Sequence, residues 1–61
     1  MKTSLKQRLE NYIDRLENNI EFLKNYKQEA IQKEIYTDVI NYNASLINLI
    51  NTRDELKDML K

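Results

Sequence analysis

Acidic side chains recur four residues apart along the chain, and three of these pairs are the residues whose spacing best suits chemistry. The pairs are Glu10/Asp14, Glu17/Glu21 and Asp54/Asp58. On a helix, two carboxylates at this spacing share one face and can ligate a hard cation such as Mg²⁺. The chain has no histidine and no cysteine, which excludes di-iron bundle motifs, thiolate zinc sites and disulfides. We therefore expect the pairs to form solvated surface, with no metal and no cofactor.

Catalysis is not expected from these residues. General acid–base catalysis calls on histidine, or on a carboxylate or lysine whose pKa is shifted in a pocket. A chain of 61 residues without histidine or glycine offers neither the imidazole nor a glycine-rich loop that cradles phosphate. The sequence predicts a non-enzymatic protein with no small-molecule substrate.

The size and charge of the chain favour association with another protein. Residues 1–61 make one small domain, and a core of this size rarely stabilises a fold by more than about 3–5 kcal/mol without reinforcement. Ten basic and ten acidic residues give a net charge of zero, so a nucleic-acid partner is not indicated. The chain has neither a membrane-spanning apolar run nor a signal-peptide start, and we expect a cytoplasmic protein. Eight asparagines with many Ile and Lys suggest an AT-rich gene, as in a phage or plasmid accessory protein.

Helix is the only regular structure that the sequence specifies strongly, because β-hairpin turns depend on glycine, proline or Asn-Gly pairs and the chain has no glycine or proline. Apolar residues recur three and four residues apart, as on one helical face, in two stripes. The first comprises Leu5, Leu9, Ile13, Leu16, Ile20 and Leu23, with Tyr12 and Ala30 beside it, and the second comprises Ile35, Val39, Tyr42, Leu46, Leu49, Arg53, Leu56 and Leu60.

The two stripes are out of phase by about one residue, which indicates a break between them at residues 33–38. The sequence therefore predicts an all-α helical hairpin with helices at about 4–33 and 38–60, which completes a bundle or coiled coil by association. Ser4 and Gln7 fit a capping box at the first helix, and Thr37 or Asp38 fits the N-cap of the second. One long helix with a register shift, paired as a coiled coil, and a break near Asn25–Tyr26 are the alternatives.

Residues 39–52, VINYNASLINLINT, carry no charge, whereas the rest of the chain never goes more than three positions without one. A helix covered on two or three sides excludes charge, because an unpaired buried charge is costly. Asparagine at such a surface can fix the register of the helices. We predict that the second helix is an interface with a second copy or with another protein. The predicted interface set, with Asn43 setting specificity, is Val39, Ile40, Tyr42, Asn43, Leu46, Ile47, Leu49, Ile50 and Arg53.

Two aromatic residues lie off the stripes and four residues apart. Phe22 and Tyr26 share one face of the first helix, where they either anchor a protein partner or pack the turn region against the second helix. Arg53 lies inside the second stripe, where its head either reaches solvent or pairs with an acid across an interface.

In size and layout the chain resembles the plasmid copy-number RNA-binding hairpins, whose two-helix subunits dimerise into a four-helix bundle. That resemblance implies RNA binding through a basic–aromatic face, here Lys2, Lys6, Arg8 and Tyr12. The sequence itself predicts a protein–protein interaction module that acts by helix packing as an adaptor, regulator or inhibitor, with the dimeric RNA-binding hairpin as the alternative.

Overall fold

The computed structural model describes residues 4–61 and contains two antiparallel α-helices, α1 (Leu5–Gln32) and α2 (Tyr36–Met59). The hairpin measures 48 × 21 × 13 Å between its outermost Cα positions, so it is long, two helices wide and one helix thick. The predicted all-α hairpin is confirmed, and α1 runs unbroken through Asn25 and Tyr26. None of the helices in residues 4–61 is long and apolar enough to cross a membrane.

A serine cap begins α1, as the sequence predicts. The Ser4 hydroxyl accepts a hydrogen bond from the Gln7 backbone amide at 3.1 Å, which satisfies one of the free amides in the first turn. Downstream, Ile13, Leu16, Ile20 and Ala30 form the buried side of α1. Leu5 does not join them. It is 73% exposed because the first turns of α1 extend past the C-terminal end of α2.

The turn between the helices is a Schellman motif built without glycine. The Ile35 amide donates to the Ala30 carbonyl at 3.0 Å, and the Glu34 amide donates to the Ile31 carbonyl at 3.1 Å. These are the two hydrogen bonds that define the motif. Glu34 takes the left-handed conformation at φ 59°, which costs a residue with a Cβ roughly 1–2 kcal/mol. The break therefore falls within the predicted 33–38 segment, at residues 33–35.

The predicted start of the second helix was wrong by two residues. Ile35 is the N-cap of α2 and makes no side-chain capping hydrogen bond, so neither Thr37 nor Asp38 caps the helix. The Schellman hydrogen bonds already hold the chain at Ile35, and α2 starts directly after them. Asp38 lies in the first turn instead, where its negative charge interacts favourably with the helix dipole.

Candidate functional site

The core between the helices is small and lies mostly on α1. Ile13, Leu16, Ile20 and Ala30 are buried there, whereas Leu46 is the one buried residue of α2, at 5% exposure. The other residues of the second stripe are half-buried against α1, apart from the exposed Ile35. Because α1 covers only one side of α2, a large part of the uncharged stretch remains open to other molecules.

The predicted interface set therefore divides into two groups. Val39, Tyr42, Leu46, Leu49 and Arg53 are buried or half-buried in the hairpin itself. The second group lies beside the first on the surface of α2 and comprises Ile40, Asn43, Ile47 and the half-buried Ile50. Three of its members, Ile40, Asn43 and Ile47, are exposed and can contact another chain while the hairpin stays closed.

The open group extends to Tyr36 and forms a continuous row on α2. The steps along it alternate between four and three residues, which is the spacing of a coiled-coil seam. Ile40 is 68% exposed and Ile47 is 52% exposed. We call this surface the isoleucine row, and its members are Tyr36, Ile40, Asn43, Ile47 and Ile50.

Two polar contacts between the helices lie on the same side of the hairpin as the isoleucine row. Lys27 Nζ donates to Asn43 Oδ1 at 3.0 Å, and Lys57 Nζ pairs with Glu17 Oε1 at 2.8 Å. The hydrogen bond from Lys57 lowers the pKa of Glu17 below its usual value. Asn43 thus uses its amide oxygen within the hairpin, and its NH₂ group remains available to a partner.

A groove runs along the opposite side of the hairpin. Its walls come from both helices, and its lining carries no charge. We call it the aromatic groove, lined by Asn19, Phe22, Leu23, Tyr26, Ser45, Asn48 and Leu49. Of these residues, only the two aromatic ones and Leu49 were predicted from the sequence as candidates for contact. Asn19, Ser45 and Asn48 were not, although the position of Ser45 and Asn48 within the uncharged stretch was a usable signal.

The two candidate anchor residues behave differently in this groove. Tyr26 stacks on Tyr42 of α2, with ring centroids 6.0 Å apart and ring planes at 27°, so it packs one helix on the other. Phe22 lies one turn earlier and is 60% exposed. Tyr26 therefore packs within the hairpin, whereas Phe22 presents its aromatic ring to solvent.

Of the residues named for RNA contact, those that the structure describes lie on two sides of α1. Lys2 lies outside the described residues. Arg8 and Tyr12 are four residues apart and share a side of α1, but Lys6 is two residues from Arg8, and residues at that spacing do not face each other. All three of the described residues are exposed.

The acidic residues are dispersed or paired with cations. Asp54 pairs with Arg53 at 3.1 Å, and Asp58 pairs with Lys61 at 3.2 Å. Near the turn, Lys33 and Glu29 pair at 2.8 Å, which raises the pKa of Lys33 and lowers that of Glu29. Within residues 4–61, no three acidic side chains come together in a group that could hold a metal ion.

Comparisons of the chain with models of known protein families, with characterised proteins and with solved structures return no match.

Proposed function

We propose that the protein is a non-enzymatic protein–protein interaction module, an adaptor, regulator or inhibitor that binds a helix of another protein on its isoleucine row. The observation that carries this proposal is the exposure of Ile40 and Ile47 within the uncharged stretch of α2. The core of the hairpin accounts for the buried and half-buried apolar residues of that stretch. It does not account for these two.

The chemistry of the row indicates what kind of partner it suits. Isoleucines at alternating four- and three-residue spacing accept the apolar stripe of an amphipathic helix, in the helix-in-groove manner. The NH₂ group of Asn43 would require a hydrogen-bond acceptor at one point of that stripe, which favours one register over the others. The row is one helix wide. Its 15 residues span about 22 Å, which at a helix diameter of about 10 Å offers roughly 220 Å², a footprint typical of weak or transient contacts.

The test is affinity capture from an extract of the protein's own cells, with three immobilised forms of the chain. Ile47→Asp places a charge in the middle of the row. Asn25→Asp adds the same charge at an exposed position of α1 away from the row, and serves as the matched control. We expect a protein that the unmodified chain and Asn25→Asp retain and Ile47→Asp loses.

The captured protein would then be purified and titrated at low and high salt. Apolar helix packing should change little with salt, whereas binding through phosphate contacts weakens steeply. The proposal fails if nothing retained by the chain depends on Ile47. It fails equally if the retained species is a nucleic acid whose binding disappears at high salt.

A further inference from the structure

The aromatic groove lies on the face opposite the isoleucine row and is not used by the proposed function. Its centre is uncharged and apolar, with Phe22 projecting beside Leu23 and Leu49. An exposed aromatic residue next to an apolar groove is the arrangement in which interface anchors are found. The charges along the outer edge of this groove indicate which molecule it fits.

Three residues on the outer edge of the groove are spaced by seven along α1: Arg15, Phe22 and Glu29. Residues seven apart lie on nearly the same side of a helix. All three are exposed. Arg15 forms no ion pair with any residue in the range 4–61, and Glu29 pairs only with Lys33 within that range. Along this edge of α1, a cation therefore lies seven residues before the aromatic ring, and the Glu29–Lys33 ion pair lies seven residues after it.

This spacing is self-complementary. A two-fold axis beside Phe22 exchanges the two ends of the groove, so Arg15 of each copy comes to the level of Glu29 in the other. The same operation places the two Phe22 rings next to each other, where aromatic pairs are favourable. It also brings Asn19 to within one residue of the level of Tyr26 in the second copy, within the uncharged part of the face. An interface of this kind contacts itself, as two-fold dimers require.

The available area agrees with a second copy as the occupant. The broad side of the hairpin measures 48 by 21 Å, or about 1,000 Å². A stable dimer buries about 800 Å² on each partner. A face-to-face pair that uses both helices reaches that area, whereas a single helix stripe of roughly 220 Å² does not.

From these observations we infer that two copies of the chain associate face to face through the aromatic groove, about a two-fold axis beside Phe22. The product is a four-helix arrangement with the isoleucine rows on its two outer surfaces. This inference goes beyond the proposed function, because it assigns a second copy to the groove and leaves the rows for the partner protein.

The experiment is absolute mass by light scattering on a sizing column, across a concentration series, for three forms of the chain. We expect a mass of two chains for the unmodified protein and for Ile47→Asp, which carries the same charge on the opposite face. Phe22→Asp should raise the dimer dissociation constant at least 30-fold, because the symmetry places both charges at the axis. Helicity measured by circular dichroism should remain, since Phe22 is exposed and outside the core.

Exchanging the charges of Arg15 and Glu29 gives a second, independent test, again by measuring the dimer dissociation constant. Arg15→Glu and Glu29→Arg should each weaken the dimer about tenfold, since every substitution acts at two symmetric contacts. The double variant restores opposite charges across the axis and should return the dissociation constant to within about threefold of the original.

Three results would overturn the inference. The first is a single-chain mass for the unmodified protein throughout the series. The second is a dimer that survives Phe22→Asp, whether or not Ile47→Asp breaks it. The third is a double charge variant that dimerises no better than the single variants. Failure of the proposed function is separate, because that depends on Ile47 and on capture of a partner.

Discussion

Leu46 and Ile47 are neighbours on α2, and replacing each with alanine tests how α2 is rotated against α1. Adjacent residues on a helix point about 100° apart. In the hairpin Leu46 is 5% exposed and Ile47 is 52% exposed. The two variants share the same helix and almost the same position, and they remove side chains of equal size. A difference in stability between them therefore reports burial.

The expected cost of Leu46→Ala is large for so small a protein. Three carbon groups leave the core, at about 0.8 kcal/mol each, and the cavity that remains brings the total into the range of about 2–5 kcal/mol. A single core in a chain of this size yields only about 3–5 kcal/mol. The variant should therefore be largely unfolded as a monomer.

The expected cost of Ile47→Ala is small. About half of the side chain is already exposed, so the lost burial is worth about 1.2 kcal/mol. Alanine has a higher helix propensity than isoleucine, which raises the free energy of unfolding by about 0.4 kcal/mol. The net change in the free energy of unfolding should be about 1 kcal/mol or less, which leaves a gap of roughly 2 kcal/mol between the variants.

The assay is urea unfolding followed by circular dichroism, at a protein concentration low enough that association contributes little. The midpoint for Leu46→Ala should fall far below that for Ile47→Ala. Equal midpoints, or a lower one for Ile47→Ala, would mean that α1 covers the isoleucine row. The division of the uncharged stretch into a buried side and an open side would then be refuted.

Three further variants test the turn, the interhelical ion pair and the isoleucine row. Glu34→Gly should stabilise the hairpin by about 0.5–1 kcal/mol in the same urea assay, because glycine takes the left-handed conformation without steric cost; a loss of stability would argue against the Schellman turn. Glu17 has a lowered pKa in the fold, so its pairing with Lys57 stabilises the protein above the ordinary carboxyl pKa, and that stability is lost as pH falls through the lowered value. Melting temperatures of Glu17→Gln should accordingly vary less with pH on the acid side than those of the original, while Glu21→Gln, at an exposed position, should follow the original. Asn43→Ile makes the row wholly apolar, and light scattering should then detect masses above two chains that rise with concentration; an unchanged mass would show that Asn43 does not limit association.

The sequence predicts much of the fold for identifiable reasons. The regular spacing of Ile13, Leu16 and Ile20 predicted the buried side of α1, and the phase difference between the stripes predicted a break in 33–38. The exact start of α2 was not predictable from capping rules, because Ile35 has no side-chain acceptor. The carbonyls of the preceding helix satisfy the turn amides there, and Glu34 takes a backbone conformation that favours glycine.

The sequence did not predict which residues of the interface set would be buried against α1 and which would stay open, and the reason is different. Apolar residues cover about half of the circumference of α2, and periodicity alone does not say which part of a wide apolar arc α1 will occupy. The side of α2 that α1 covers depends on contacts between side chains of both helices, such as Tyr26 with Tyr42 and Lys27 with Asn43. The groove has the same origin, because its lining combines Leu23 of α1 with Ser45 of α2.

The two open surfaces differ in a way that fits two different occupants. The aromatic groove spans both helices, and Arg15 and Glu29 follow its outer edge on α1, so an interface there is wide and self-complementary. The isoleucine row is one helix wide and has a single amide near its middle, so it suits a narrower and weaker contact in one register. A chain of this size cannot build a large core, and a dimer through the groove would supply the missing stability while the rows stay exposed for exchangeable partners. Under this arrangement, a charge at Phe22 should lower the mass towards one chain while helicity remains, whereas a charge at Ile47 should abolish partner binding and leave the mass at two chains.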